Sequence, residues 1–182
     1  MIESYKISNK VTDKLLKEMI ELDNSVFEGQ DVGDFAKCKE WLSANEDIYT
    51  VLLLNDRVVG YINFMPITDE CYYKFKAGLV KDYQLTGKDI LRFSTTQPLN
   101  CLLTSIVIEK SLRDGQAIKF LWDGFINKIQ RLKAKIGKVI LDCVTIDGEN
   151  FAKRNFNAKF LSNSNGSKVY EGELNFKIDS EV

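Results

Sequence analysis

The chain has 182 residues, and 25 Lys and Arg against 26 Asp and Glu give it a formal net charge of -1. Hydrophobic residues make up 45% and charged residues 28% of the chain, which is typical of a folded globular protein and excludes a disordered or collagen-like one. The balanced charge excludes a chain-wide attraction to nucleic acid or to an anionic membrane. We therefore expect one domain, residues 1–182, with a single core.

The N-terminal sequence MIESYKISNK lacks the order of a signal peptide, and no apolar run approaches the roughly 20 residues that span a membrane. We expect a cytoplasmic protein. The four cysteines are scattered, without a CxxC pair, and the chain has no histidine. This composition predicts four reduced, mostly buried thiols and no metal site, and it excludes the catalytic triads that need a histidine base.

The first half of the chain begins with a strand and two helices. Apolar residues at helical spacing predict the helices over 12–27, with Thr12 as the cap, and over 33–44. The apolar runs 48–54 and 58–65 flank Asn55 and Asp56, which predicts an antiparallel hairpin. Residues 66–99 have a weaker pattern, from which we expect a short helix and a loop.

A strand, a polar loop and a long helix follow between residues 102 and 132. The apolar run LLTSIVI (102–108) is the strand, and KVILDCV (138–144) is the next one. The segment therefore predicts a β-α-β unit with two roughly parallel strands, in which Gly137 ends the helix.

The chain ends with a short helix and a second hairpin. We expect Asp147 to cap the helix and Asn157 to end it in a left-handed conformation. The runs 158–163 and 168–178 flank Asn165-Gly166, a strong hairpin turn. The whole order predicts an α/β (α+β) fold with a mixed, mostly antiparallel sheet of six to seven strands flanked by helices.

The loop SLRDGQAI places a glycine where the long helix begins. The first amide groups of a helix have no partner within it and lie at the positive end of its dipole. Gly115 allows a ligand to approach the backbone, and Ala117 keeps the next turn small. This pattern favours an anion such as a pyrophosphate, with a plain tight turn between strand and helix as the alternative explanation.

With its surroundings, this loop resembles the acetyl-CoA loop of the GNAT superfamily of N-acetyltransferases, whose pattern is Gln/Arg-x-x-Gly-x-Gly/Ala. Gly115 and Ala117 occupy the two small positions, whereas Leu112 stands where Gln or Arg is usual and Arg113 is displaced by one residue. The order of the predicted elements is similar to that of the family across almost the whole chain.

The resemblance implies acetyl-CoA (coenzyme A) as the cofactor, in a gap where the strands at 102–108 and 138–144 separate. Strand backbone would bind the pantetheine arm, and loop amides would bind the pyrophosphate. A family asparagine that faces the cofactor is similar in placement to Asn150, for which a supporting role at the helix cap is the alternative. The implied cofactor-binding residues are Ile106, Val107, Ile108, Arg113, Asp114, Gly115, Gln116, Ala117, Ile118 and Asn150.

The resemblance implies an acetyltransferase that acts on a primary amine, but it leaves the catalytic residues unassigned. The tyrosine that serves as the acid in many members is absent from GENFAKRNFNAKF, so solvent, Tyr61 and Tyr170 are the alternatives. LLTSIVI has no acidic residue, although some relatives carry a glutamate base there. Four acidic residues in 66–99 have the pattern of surface charges: Asp69, Glu70, Asp82 and Asp89.

These missing groups keep a second hypothesis open, namely a non-catalytic acyl-CoA-binding sensor or interaction domain with the same fold. An aromatic group within 71–83 allows a further alternative, because aromatic residues between lysines can bind single-stranded nucleic acid. Since acidic residues lie among those lysines, we favour an acceptor pocket instead. The predicted partner is a small-molecule or peptide amine, without nucleic acid or membrane, and a homodimer is the open alternative to a monomer.

Overall fold

The computed structural model describes residues 4–27, 33–113 and 115–174 of the chain. Within these ranges seven strands form one sheet, in the spatial order β1-β2-β3-β4-β5-β7-β6. The strands are β1 (Tyr5–Ser8), β2 (Tyr49–Leu54), β3 (Arg57–Pro66), β4 (Leu99–Ile108), β5 (Ile136–Cys143), β6 (Lys159–Ser164) and β7 (Ser167–Glu173). The helices are α1 (Asp13–Phe27), α2 (Phe35–Ala44), α3 (Asp69–Lys76), α4 (Gln116–Arg131) and α5 (Ile146–Phe156).

The pairing of the strands confirms a mixed, mostly antiparallel sheet. β4 and β5 run parallel, and the other neighbouring pairs are antiparallel. The segment from β4 through α4 to β5 is the predicted β-α-β unit. Between β3 and β4, the predicted short helix is α3, and two short 3₁₀ turns follow it at Asp82–Gln84 and Gly87–Asp89.

Both predicted hairpins are confirmed at their turn residues. Asn55 and Asp56 have φ angles of 52° and 59°, and Asn165 and Gly166 have φ angles of 36° and 85°. These left-handed values are the ones that a two-residue hairpin turn requires, and Asn, Asp and Gly tolerate them best. The predicted continuation of the last strand beyond Leu174, to residue 178, lies outside the described residues.

The predicted end of the long helix at Gly137 is wrong. α4 ends at Arg131, the chain turns through Lys133 with a φ of 50°, and Gly137 lies within β5. A Cβ atom at Gly137 would stand 2.8 Å from the side-chain oxygen of Asn100 on β4. The close approach of two strands therefore requires this glycine.

The predicted cap of the short helix is also wrong. Thr145 precedes α5, and its hydroxyl accepts a hydrogen bond from the Gly148 amide at 3.0 Å. Asp147 lies in the first turn instead, where its charge suits the helix dipole. The left-handed end at Asn157, with a φ of 48°, is confirmed.

Helices cover both faces of the sheet, so the central strands are buried on both sides. α1, α2 and α3 pack on one face through Leu16, Trp41 and Phe75, and α4 and α5 pack on the other through Phe125 and Phe156. The four cysteines are free and buried, as predicted. None of the helices in the described ranges is long and apolar enough to cross a membrane.

A buried lysine fastens α4 to the chain just before and within β2. Lys128 is 3% exposed, and its Nζ donates hydrogen bonds to the carbonyl oxygens of Asp47 at 2.7 Å and Tyr49 at 2.8 Å. Burial disfavours the charged amine and lowers the pKa of Lys128 to about 7.

Replacing Lys128 by methionine tests this burial through the pH dependence of stability. The folded protein releases the Lys128 proton near pH 7, whereas the unfolded chain keeps it until about pH 10.4. Because the unfolded state then binds more protons, this group makes the stability of the wild type rise with pH between those values. We expect the free energy of unfolding of Lys128→Met, relative to wild type, to fall by about 1 kcal/mol per pH unit in urea titrations from pH 7 to 10.

The matched control is Lys119→Met, because Lys119 lies on the same helix with an exposed side chain. We expect its stability difference from wild type to change little over the same range. A difference for Lys128→Met that is equally flat would contradict the assignment.

Candidate functional site

Strand β4 keeps one neighbour along its whole length and loses the other halfway. Its pairing with β5 ends at Leu103 opposite Leu141. Its pairing with β3 continues to Ile108 opposite Gly60. Residues 104–108 of β4 therefore have an edge that β5 does not cover, and the predicted separation of these two strands is confirmed.

A β-bulge marks the place where the strands separate. Asn63 pairs with Ser105 and Phe64 pairs with Leu103, so Thr104 is an extra residue on β4. A bulge bends the strand that carries it and increases its local twist. Because the pairing with β5 ends at the residue just before Thr104, the bulge accounts for the gap.

The main-chain groups of Ile106 and Ile108 point into this gap. The Glu109 amide donates to the Val59 carbonyl on β3 at 2.8 Å, and main-chain groups alternate in direction along a strand. The main-chain groups of Val107 therefore point toward β3, as those of Glu109 do. The main-chain groups of Ile106 and Ile108 point away from β3, toward the gap. The Ile108 carbonyl already accepts a hydrogen bond from Nε of Arg113 at 3.2 Å.

The first turn of α4 lies open to a ligand. Gly115 has a φ of 97°, and among the described residues, apart from its chain neighbours, no atom lies within 4 Å of the place where its Cβ would stand. The Lys119 amide makes a helical hydrogen bond to the Gly115 carbonyl at 3.1 Å. The amides of Ala117 and Ile118 come before it, have no partner within α4 and lie at the positive end of its dipole.

The remaining predicted cofactor-binding residues differ in their exposure. Asn150 is exposed on α5. The side chain of Ala117 is fully buried against the sheet, so its small size serves the packing of α4. Gln116 begins α4, and Asp114 lies outside the described residues.

A cavity of about 460 Å³ lies on the opposite face of the sheet, between α1, α2, β3 and the bulge of β4. Its walls include Leu16, Met19 and Trp41. Polar side chains from the two strands also line it, namely Tyr61, Asn63, Thr104 and Ser105. The cavity thus joins an apolar wall to a polar floor beside the bulge.

Asp23 of α1 is a buried carboxylate that lines the cavity and meets this polar floor at Tyr61. It is 8% exposed, and its Oδ1 accepts a hydrogen bond from the hydroxyl of Tyr61 at 2.5 Å. Burial raises the pKa of Asp23 to about 6, against the lowering effect of hydrogen bonds from Tyr61 and from the Gly33 main chain. Asp23 is therefore mostly ionised at neutral pH although it is buried.

Tyr61 connects Asp23 to the bulge. Burial, together with the Asp23 carboxylate, holds the pKa of Tyr61 well above its ordinary value, so its hydroxyl keeps its proton at neutral pH. The Ser105 side chain acts in the opposite direction and lowers the pKa of Tyr61. Tyr170 differs, because it packs on the face of α4 and α5 and donates to Glu149 at 2.6 Å. Of the two tyrosines considered as the acid, Tyr61 is the one that lines this cavity.

Asp23 was not predicted as a site residue, although the sequence carries a signal for it. Leu16, Met19 and Asp23 follow one another at the spacing of a single helix face. Leu16 and Met19 form the buried stripe of α1, so the carboxylate occupies a position where an apolar residue is expected. Carboxylates are rarely buried without a specific partner.

The acidic residues considered in 66–99 mostly make local contacts. Glu70 pairs with Lys74, Asp69 accepts a hydrogen bond from Asn100, and Asp89 accepts one from the Thr86 amide. Asp82 is the one of the four that lines the cavity.

The aromatic residues in 71–83 lie in three places: the core, the exposed surface and the cavity. Tyr72 and Phe75 belong to the core, and Tyr73 is exposed. Tyr83 lines the cavity. The prediction that this group lines an acceptor pocket therefore concerns Tyr83 alone.

No protein-family model and no curated protein sequence matches the chain. Solved structures match it over almost its full length. The GNATL domain of CurA from Lyngbya majuscula has a TM-score of 0.62 at 11% identity, over 94% of this chain and 98% of that one. Naa50 from Arabidopsis thaliana, in complex with the bisubstrate analogue CoA-Ac-MVNAL, has a TM-score of 0.59 at 12% identity, over 94% and 99%.

The PaiA N-acetyltransferase from Thermoplasma acidophilum, in complex with coenzyme A, has a TM-score of 0.55 at 10% identity, over 93% of this chain and 99% of that one. Together these likenesses show that the chain has the fold of the GNAT N-acetyltransferases. The predicted fold is confirmed.

The left-handed conformation at Gly115 leads to a prediction about stability. We expect Gly115→Ala to lower the free energy of unfolding by about 1 kcal/mol, because an L residue is strained at this φ. The matched control is Gly87→Ala, since a Cβ at Gly87 would make ordinary contacts with Glu40 and Ala44. Urea titration measures both variants, and equal stability of Gly115→Ala and wild type would contradict the prediction.

Proposed function

We propose that the chain is a single-domain acetyltransferase that moves an acetyl group from acetyl-CoA to a primary amine. The observation that carries this proposal is the open edge of β4 over residues 104–108, beside the open first turn of α4. An extended ligand with amide groups binds an open strand edge through main-chain hydrogen bonds. A phosphate binds the beginning of a helix. Coenzyme A carries both features, amides in its pantetheine arm and a pyrophosphate further along.

The residues beside the gap fit this cofactor. The main chain of Ile106 and Ile108 would hold the pantetheine arm, and the amides between Arg113 and Ile118 would hold the pyrophosphate. Gly115 leaves the approach to those amides clear. Two of the solved structures with this fold, Naa50 and PaiA, contain a coenzyme A analogue or coenzyme A, which supports the same assignment.

The bound cofactor would supply a thioester, whose carbonyl carbon is the group that an amine attacks. The chain's own contribution is to fix the position of that carbonyl and to bind its oxygen as negative charge develops. We assign this second role to the strand amide of Ile106, because it is a fixed main-chain donor that points into the gap. The acceptor amine, from a small molecule or a peptide, would enter from the cavity on the other face.

The first test is the stabilisation of the protein by acetyl-CoA. A ligand at 100 times its dissociation constant stabilises the folded state by about 2.7 kcal/mol, so we expect a clear rise in melting temperature at millimolar acetyl-CoA. In the same assay, Gly115→Ala should weaken the binding of acetyl-CoA at least tenfold, because it alters the turn that exposes the amides. Gly87→Ala should leave this binding unchanged. No stabilisation of the wild type at millimolar acetyl-CoA would exclude the proposal.

Release of free thiol distinguishes an enzyme from a sensor with the same fold. We expect the wild type to release coenzyme A from acetyl-CoA in the presence of an amine panel, faster than without protein. Binding of acetyl-CoA without thiol release above background for any amine would instead support the non-catalytic alternative.

A further inference from the structure

The cavity on the α1 side contains polar atoms that the fold itself does not satisfy. Asn63 and Thr104 line the cavity, and their side-chain oxygen atoms are buried without a hydrogen-bond partner in the described part of the chain. Asn63 is only 3% exposed. A buried acceptor without a donor costs about 1–3 kcal/mol. Two such atoms in residues that line one cavity leave acceptors for a ligand with several hydrogen-bond donors.

The charges around the cavity indicate that this ligand is a cation. Asp23 lies inside it, and Asp34 and Asp82 also line it. Lys37 lines it too, but its ammonium lies 3.4 Å from a carboxylate oxygen of Glu40, which offsets its charge. A primary ammonium group offers three donors and one positive charge, so it matches both the acceptor atoms and the carboxylates.

The cavity and the cofactor gap meet at the bulge of β4. The residues Thr104 and Ser105 line the cavity, and the main chain of the next residue, Ile106, points into the gap. A group bound beside Thr104 therefore lies next to the strand segment that would hold the thioester. This adjacency is what a transfer between the two sites requires, since reacting groups must be held within contact distance.

We propose that this cavity binds the ammonium group of the acceptor and that Asp23 takes its proton, with Tyr61 as the residue that positions Asp23. The inference rests on the proposed function. Because Leu16, Met19 and Trp41 form the wall, the ligand is a primary alkylammonium with an apolar body. That chemistry is shared by small hydrophobic amines and by the N-terminus of a peptide with an apolar first residue.

The transfer needs the Asp23 carboxylate, the acceptor ammonium and the thioester. The ammonium gives one proton to the Asp23 carboxylate, and the nitrogen lone pair that this frees forms a bond to the thioester carbonyl carbon. The carbon–sulfur bond breaks, and its electron pair leaves with sulfur. The second proton lost by the nitrogen goes to that thiolate, which yields an amide, free thiol and a protonated Asp23 that solvent deprotonates.

Asp23 lines the cavity and changes charge near pH 6. Burial also raises the pKa of Cys38, to about 11, and that of Tyr49 well above its usual value, so both stay neutral there. The Asp82 carboxylate raises the pKa of Asp23 further. In the described part of the chain, the titratable and charged groups that line the cavity with Asp23 are Tyr61 on β3, Tyr49 on β2, Cys38 and Lys37 on α2, Asp34 before α2, and Asp82 and Tyr83.

The decisive variant is Asp23→Asn, which keeps the shape of the side chain and its acceptor for Tyr61 but removes the charge. We expect kcat/KM for the acceptor to fall at least 100-fold, while stabilisation by acetyl-CoA is unchanged. Glu21→Gln is the matched control, because it removes the same charge from an exposed position on the same helix, and it should stay within twofold of wild type. Urea titration confirms that both variants fold.

Two measurements need no turnover. Isothermal titration with phenethylamine hydrochloride, without acetyl-CoA, should show binding to wild type that weakens at least tenfold in Asp23→Asn. Carbon-13 NMR of labelled aspartate carboxyls should show Asp23 titrating near pH 6. In Tyr61→Phe this titration should move to higher pH, because the lost hydrogen bond lowers the pKa of Asp23 in the wild type.

The assay arms are phenethylamine, hexylamine and a tetra-alanine peptide with a free N-terminus. Turnover of any of them that depends on Asp23 supports the proposal, and the preferred arm identifies the source of the ammonium. Turnover that Asp23→Asn leaves unchanged overturns it, as does the absence of amine binding to a wild type that binds acetyl-CoA. A wild type that fails to bind acetyl-CoA overturns the proposed function instead.

Discussion

A single extra residue in a central strand determines the geometry of the candidate site. Thr104 interrupts the pairing of β3 with β4, and the pairing of β4 with β5 stops at the residue before it. From that point the backbone of β4 is supported on one side only. The gap between the strands and the polar floor of the cavity both begin at this residue, so a local twist of one strand creates two adjoining candidate binding surfaces.

The sequence predicts the elements of this fold well where a local signal determines them. Asn55-Asp56 and Asn165-Gly166 mark their turns because few residue types tolerate a positive φ. The bulge at Thr104 has no comparable signal, because threonine is also favoured in regular strands. The prediction that Gly137 ends the long helix is wrong, because this glycine is required by its close approach to Asn100, a residue 37 positions earlier. Contacts between distant segments are what a local pattern does not contain.

The candidate site also has one part that local sequence predicts and one part that depends on contacts between distant segments. The side that we propose for the cofactor relies on main-chain groups, which any sequence that folds this way supplies, and identities of 10–12% to structures with the same fold are consistent with that. The side that we propose for the acceptor relies on side chains, and there the chain has its own arrangement. Asp23 and Tyr61 lie 38 positions apart and meet only because α1 packs across β3. Their pairing could be found only after the helix was placed on the sheet.

The tether at Lys128 has a consequence for the opposite end of α4. Its Nζ holds the last turns of that helix to the backbone before and within β2 through two short hydrogen bonds. Because its last turn is held in this way, α4 is already in place before a ligand reaches its first turn. The entropic cost of ordering the first-turn amides of α4 is therefore met when the protein folds, so a ligand that binds them as we propose would not have to meet it.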